Sequence, residues 1–314
     1  MKRKTVFIII LCAALIAATV VIVMLTNEST TGNNTVYTAN KELAEGDAKS
    51  DAENSTKTAV CSFYPVYIAA KNIAKGVEGL NLTCLSQPQT GCLHDYQLTT
   101  DDVKLIESAG LLICNGGGME SFVNAAEYAK TYPGLRVLYA SENLPVNELE
   151  EDNAHYWMDA DLYEIYAQKV AIALSDFDTE NAGIYMENYA AYREKIEETI
   201  ALRDELSLEG KKVVNLSEPL SYLATDLGME VSMFIDLEEE ESISADTLAK
   251  ACEILRSEDA VILYDEEGAE VANTLVTETG AKAVCLDVIT TGDGNEDAWI
   301  SGMTSNYNLL KEIQ

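Results

Sequence analysis

Two histidines, His94 and His155, are the whole imidazole complement of a 314-residue chain. His94 lies in Gly91-Cys92-Leu93-His94-Asp95-Tyr96-Gln97, and His155 in Asn153-Ala154-His155-Tyr156-Trp157-Met158-Asp159. Each is set among aromatic and acidic residues just before a helical pattern begins. Neutral imidazole is the commonest protein ligand for zinc and related ions, so the pair reads as candidate metal ligands. Two unrelated polar loop histidines are the competing reading. Two carboxylates join them. Glu218 follows an apolar run at 213–215, and Asp287 directly follows another at 282–286. Two imidazoles and two carboxylates form a coherent donor set for Zn²⁺ or Mn²⁺. Each carboxylate also has an ordinary use, Glu218 at the positive end of a helix and Asp287 in a turn or cap.

The elements that must position these four alternate between strand and helix. Apolar runs at 59–63, 80–85, 111–114 and 135–139 read as strands, with helical periodicity between them. A helix is expected from Val66 to Lys75. Another is capped by Thr100 with Asp101 and Asp102 in its first turn. Gly116, Gly117 and Gly118 are expected to turn the backbone into a third, starting at Met119. Leu162 to Leu174 keep one helical face. A second stretch, 179–207, carries Tyr185, Tyr189, Tyr192, Ile196 and Ile200 at helical spacing, a stripe that reads as core packing. It would be about 40 Å long at 1.5 Å per residue, a rigid spine between two lobes. The alternation then repeats, with strands at 213–215, 230–233, 260–264 and 282–286 and helices from Pro219, at 244–256, 269–279 and 297–313. Asp265, Glu266 and Glu267 read as a solvated helix start. The fold class is therefore α/β: two β-α lobes with mainly parallel sheets joined by one long spanning helix. Ligands of such sheets bind beyond the carboxyl ends of the strands, where His94, Glu218 and Asp287 fall. His155 falls between the first lobe and the long helices.

The ends and composition bound the rest. Met1-Lys2-Arg3-Lys4 precedes an apolar stretch from Thr5 to Leu25, long enough to span a bilayer with its basic flank inside. The expected organisation is an anchor or signal segment at 1–26, a polar tether at 27–57, an N-terminal lobe at 58–178, the linking helix at 179–208 and a C-terminal lobe at 209–314. Everything after Thr26 is then extracytoplasmic, tethered to the membrane. The net charge of −32 repels nucleic acid and anionic lipid and attracts cations over a screened range of about 8 Å. Of seven cysteines, Cys61, Cys84, Cys114 and Cys285 fall in or beside strand-like runs, where a thiol behaves as a small buried hydrophobe. Cys252 falls in a helix. Export permits disulfides, and Cys84 with Cys92 is the pair closest in sequence. There is no CxxC pair for a cysteine-rich zinc site. The three glycines do not open a GxxxxGK[ST] phosphate loop.

Several segments share one order from about residue 58 onward. They are Ser62-Phe63-Tyr64-Pro65, His94-Asp95-Tyr96 with the Asp101-Asp102 helix, Asn115-Gly116-Gly117-Gly118-Met119-Glu120, and His155-Tyr156-Trp157-Met158-Asp159. Glu278-Thr279-Gly280-Ala281-Lys282 and Leu286-Asp287 follow. In these the chain resembles the metal-specific substrate-binding proteins of bacterial ABC importers, the zinc and manganese binders with a helical backbone. The resemblance implies one Zn²⁺, or alternatively Mn²⁺, in the interlobe cleft, a membrane permease as partner, and a monomer that is not an enzyme. It carries His94, His155 and Asp287 over as ligands. The remaining ligand, usually His in zinc members and Glu in manganese members, falls in Asn215-Leu216-Ser217-Glu218-Pro219-Leu220-Ser221-Tyr222. A gapless match puts Ser217 in the slot, and one deletion puts Glu218 there. A carboxylate is the better ligand, so Glu218 is expected. The long His-rich loop of some zinc members is absent. A degenerate member serving as a surface adhesin or scaffold is the alternative. A metal-dependent hydrolase needs an open coordination position and a base, and four ligands leave no dedicated base.

Overall fold

A computed structural model describes residues 56–85, 96–145, 153–237 and 243–314 of the chain. Strands β1 (Lys57–Cys61), β2 (Leu80–Cys84), β3 (Leu111–Cys114) and β4 (Arg136–Tyr139) form one parallel sheet in the order β2-β1-β3-β4. Strands β5 (Lys212–Asn215), β6 (Glu230–Phe234), β7 (Val261–Tyr264) and β8 (Ala283–Cys285) repeat that order as β6-β5-β7-β8, again all parallel. Period-two alternation sends successive side chains to opposite faces. Ala59 and Cys61 enter an inner core while Val60 enters an outer one, and Val213 and Val214 divide in the same way. Both faces must therefore be covered, which is what parallel sheets require.

The helices supply that cover. In chain order they are α1 (Tyr64–Ile73), α2 (Thr100–Ser108), α3 (Ala125–Thr131), α4 (Ala160–Phe177), α5 (Ala182–Asp204), α6 (Leu220–Asp226), α7 (Ala245–Ser257), α8 (Ala269–Thr279) and α9 (Ala298–Leu310). Residues of α1, α4, α5, α6 and α9 fill one continuous inner core that also takes in β1, β3, β5 and β7. The outer faces are closed by smaller clusters, one with α2 and the other with α7 and α8. The tyrosine stripe packs as expected: Tyr185, Tyr189, Tyr192 and Ile196 of α5 are buried in the inner core. Tyr163 of α4 stacks on Trp299 of α9, with ring centroids 4.1 Å apart and planes 14° apart, and its hydroxyl meets that of Tyr192 at 3.1 Å.

Several boundaries differ from the sequence expectation, each for a local reason. The spine is α5, 23 residues or about 35 Å, rather than the longer span expected. Thr99, not Thr100, caps α2: its hydroxyl accepts the Asp102 N–H while the Asp102 carboxylate accepts the Thr99 N–H, a capping box. No helix starts at Met119. Gly116, Gly117 and Gly118 all hold positive φ, at 89°, 66° and 92°, which prolongs the turn, and α3 begins only at Ala125, capped by Asn124. Cys61 and Cys114 are buried as expected, whereas Cys285 is exposed. Among the described residues no helix is long and apolar enough to cross a membrane. The expected anchor and all but the last two residues of the expected tether lie outside those residues, as does Cys92 of the suggested disulfide.

One polar cluster sits inside this frame. Asp159 caps α4, Asp226 ends α6, and Arg203 near the end of α5 reaches Asp226 at 2.5 Å and Asp161 at 2.7 Å. Burial, then the neighbouring Asp159 charge, push Asp226 up to about 7 from 3.8 against the pull of Arg203. A carboxyl whose folded pKa is raised keeps a proton that the unfolded chain releases, so this group costs stability as pH rises from about 4 to about 7. Asp226→Asn also removes a charge partner of Arg203, so the expected signature is in the pH dependence: its melting temperature should gain on that of the wild type between pH 5 and pH 8. A gap that does not change with pH counts against a buried charge as its cause.

Candidate metal centre

Every described segment of the candidate site leaves the carboxyl end of a strand or the loop beyond it. At the end of β1, Ser62 and Phe63 lead into α1, which Pro65 helps to start. At the end of β3, Asn115 and the three glycines turn back under Glu120. The buried Glu120 carboxylate accepts the Ser62 hydroxyl at 2.5 Å and the backbone N–H groups of Asn115 and Gly116 at 2.6 and 2.9 Å. Burial raises its pKa, and these three donors pull it back. Glu120 thus joins the neighbouring strands β1 and β3 where the connection changes side, the crevice in which open α/β sheets bind ligands. Asn115 passes this order on, donating to the Ala154 carbonyl at 2.8 Å while its Oδ1 accepts the Tyr166 hydroxyl.

His155 is fully buried at the residue after Ala154. Asn153 Oδ1 accepts its backbone N–H at 3.0 Å and lies 2.9 Å from its Nδ1. The imidazole stands edge-on to Trp157, with centroids 5.1 Å apart, and Trp157 meets Phe63 at 5.2 Å. Residues 156–158 form one 3₁₀ turn, and Asp159 then caps α4. From the second lobe, Glu218 follows β5, and its Oε2 comes 3.7 Å from His155 Nδ1. Ser217, its competitor in sequence, gives its hydroxyl to Asp265 Oδ2 at 2.6 Å. Asp265 is accordingly no mere solvated helix start; its other oxygen accepts the N–H groups of Glu267 and Gly268.

Asp287 is exposed on the loop after β8 and is fixed through its backbone. Asn306 of α9 accepts its N–H at 2.9 Å and donates to its carbonyl at 2.8 Å, and Asp287 Oδ1 accepts the Ile289 N–H at 2.8 Å. That last bond holds Ile289 in a left-handed conformation, φ 56°. The next residue, Val288, accepts the Trp157 indole N–H at 2.8 Å, which links the Asp287 loop to the His155 turn. The structure thus brings His155 and Glu218 together and ties the loop of Asp287 to the same aromatic cluster. His94 lies outside the described residues.

Sequence reasoning gave no role to Asn153, Trp157, Asn306 or Ser62. The available signal was slight: Asn153 stands two residues before a singular histidine, and Trp157 two after it. A different grouping with metal-like spacing, Asp159, Asp161 and Asp226, also occurs among the described residues, but Arg203 is already its cation.

Two parallel α/β lobes around a shared helical core, with an imidazole and a carboxylate approaching each other from opposite lobes, make up the two-lobed architecture of a solute-binding protein. Residues 59–313 match the family described as zinc-uptake complex component A, periplasmic (ZnuA), and the chain belongs to that family. The high-affinity zinc uptake system protein ZnuA of Bacillus subtilis is 24% identical over 287 residues, covering 84% of this chain and 89% of that protein. The Zn(II)-bound ZnuA-like domain of Streptococcus pneumoniae AdcA superposes with a TM-score of 0.69 at 25% identity, covering 82% of this chain and 98% of that one. The Pseudomonas aeruginosa binding protein FpvC, solved with Mn²⁺, shares the fold with a TM-score of 0.70 at 21% identity, covering 82% and 99%. The family is one of metal-binding transport components rather than of enzymes.

Glu120 offers a direct check of how the site is held. Glu120→Ala orphans two buried N–H donors at about 1–3 kcal/mol each, so a loss of about 2 kcal/mol or more is expected in urea unfolding. A loss below about 1 kcal/mol would mean that water or another side chain takes over the donors.

Proposed function

We propose that the chain captures one Zn²⁺, with Mn²⁺ as the alternative cargo, between the carboxyl ends of its two sheets and delivers it to an ABC permease. In this reading His94, His155, Glu218 and Asp287 are the ligands. The chain works as an extracytoplasmic monomer held to the membrane by its N-terminal segment. The observation that carries the reading is the convergence on His155. A fully buried imidazole from the first lobe has the side of its ring at Nδ1 3.7 Å from a carboxylate of the second, so the two donor residues share one place. The bond from Ser217 to Asp265 supports Glu218 as the third ligand, since the hydroxyl already has a partner. A carboxylate also brings charge that offsets the cation, which a neutral hydroxyl does not. The net charge of −32 favours the approach of cations over anions.

Calorimetric titration with Zn²⁺ and Mn²⁺ tests this. His94→Ala and His155→Ala should each lose more than about 100-fold in affinity, above the 10–100-fold typical of residues that only orient a ligand. Unchanged binding in both variants would sink the site. Glu218→Gln should lose much more affinity than Ser217→Ala. The reverse order would return the ligand position to Ser217.

A further inference from the structure

Asn153 is where the two ligand-bearing segments meet. Its Nδ2 donates to the Glu218 carbonyl at 3.1 Å, and a carbonyl can only accept, which fixes which end of the amide is oxygen. The oxygen therefore faces His155, 3.0 Å from its backbone nitrogen and 2.9 Å from its Nδ1. Because an amide oxygen only accepts, Nδ1 carries the ring proton. In a neutral imidazole the lone pair then lies on Nε2, the state that a metal requires. The Asn153 backbone carbonyl in turn accepts the hydroxyl of buried Tyr222 on α6, at 2.9 Å, so the residue is itself held from both sides.

We infer that Asn153 is a positioning residue for metal capture. It fixes His155 as the Nδ1–H tautomer, so that Nε2 is the metal-binding nitrogen, and it pins the backbone of Glu218 to the same segment. The inference rests on His155 being a ligand. The choice of an amide has a chemical meaning. A carboxylate on Nδ1–H would raise the basicity of the imidazole and tighten its hold on the metal. Glu218 Oε2, at 3.7 Å, is beyond hydrogen-bond distance of that nitrogen. The neutral amide orients the ring without that extra basicity, which suits a site that must also give its ion away.

With only two histidines in the chain, ¹⁵N-histidine labelling yields two imidazole spin systems, and His94→Gln assigns them. In the metal-free wild type above the imidazole titration range, His155 should appear as the Nδ1–H tautomer. Zn²⁺ should then shift Nε2 and leave Nδ1 protonated. Asn153→Leu keeps similar bulk without the amide; it should lose the tautomer preference and about 10–100-fold in Zn²⁺ affinity. Asn153→Asp puts a carboxylate acceptor on the same nitrogen and should retain the Nδ1–H form in the zinc complex and bind Zn²⁺ at least as tightly as the wild type. If Zn²⁺ shifts neither nitrogen of His155, the ligand reading itself is wrong. If Nε2 takes the metal but Asn153→Leu preserves both tautomer and affinity, the ligand reading stands and the role of Asn153 is overturned. Should Asn153→Leu fail to fold, the other two measurements decide. An Nε2–H tautomer in the wild type, or an affinity in Asn153→Asp as low as that of His155→Ala, overturns the inference.

Discussion

The indole of Trp157 fixes the distance between the two lobes at the site. Its N–H donates across the cleft to the Val288 carbonyl, one residue past Asp287. Its own carbonyl accepts the indole N–H of Trp299 in α9 at 2.8 Å. His155 packs edge-on against one part of the ring and Phe63 against another. A binding site built from two bodies works only when its groups are held to within about half an ångström. Here one buried side chain touches the imidazole, the end of β1 and the loop of the exposed carboxylate. The rest of the structure holds that indole in place: Tyr163 stacks on Trp299, Tyr192 bonds to Tyr163, and α5 carries Tyr192 along the length of the molecule.

The two lobes share a device as well as a strand order. At the crevice of the first sheet a serine hydroxyl meets a carboxylate, Ser62 with Glu120, and at the crevice of the second Ser217 meets Asp265. In both, the carboxylate also accepts backbone N–H groups of its own turn. Parallel sheets leave the strand ends at such a point as loops with unpaired N–H donors, and an acidic side chain is an economical way to satisfy several at once. Among the described residues, Glu120 and Asp265 are thus occupied by backbone N–H groups, and Glu218 has its carboxylate beside the imidazole.

Much of this was legible in the sequence, because β-α alternation writes itself locally. Leu111–Cys114 and Ala269–Thr279 fall where the apolar patterning puts them, since burial on both faces leaves a short uninterrupted run and one-sided burial leaves a helical stripe. The helix expected at Met119 failed for a local reason too. Met119 is fully buried and looks like a helix core position, but the three preceding glycines spend its neighbourhood on a left-handed turn. What no window reveals is partnership at a distance. Trp157 bonds to residues 131 and 142 positions away, and Asn153 to one 65 positions away. The contest between Ser217 and Glu218 had the same origin. It turns on Asp265, which sequence alone reads as a solvated acid.

The unbroken inner core, from β1 and β3 through the central helices to β5 and β7, sets a high cost on any motion that parts the two lobes. A large aromatic ring buries about 150–250 Å², worth about 5 kcal/mol at 25 cal/mol per Å². Trp299, Tyr163 and Tyr192 lie together in that core, so a motion that exposed all three rings would cost the burial of each at once.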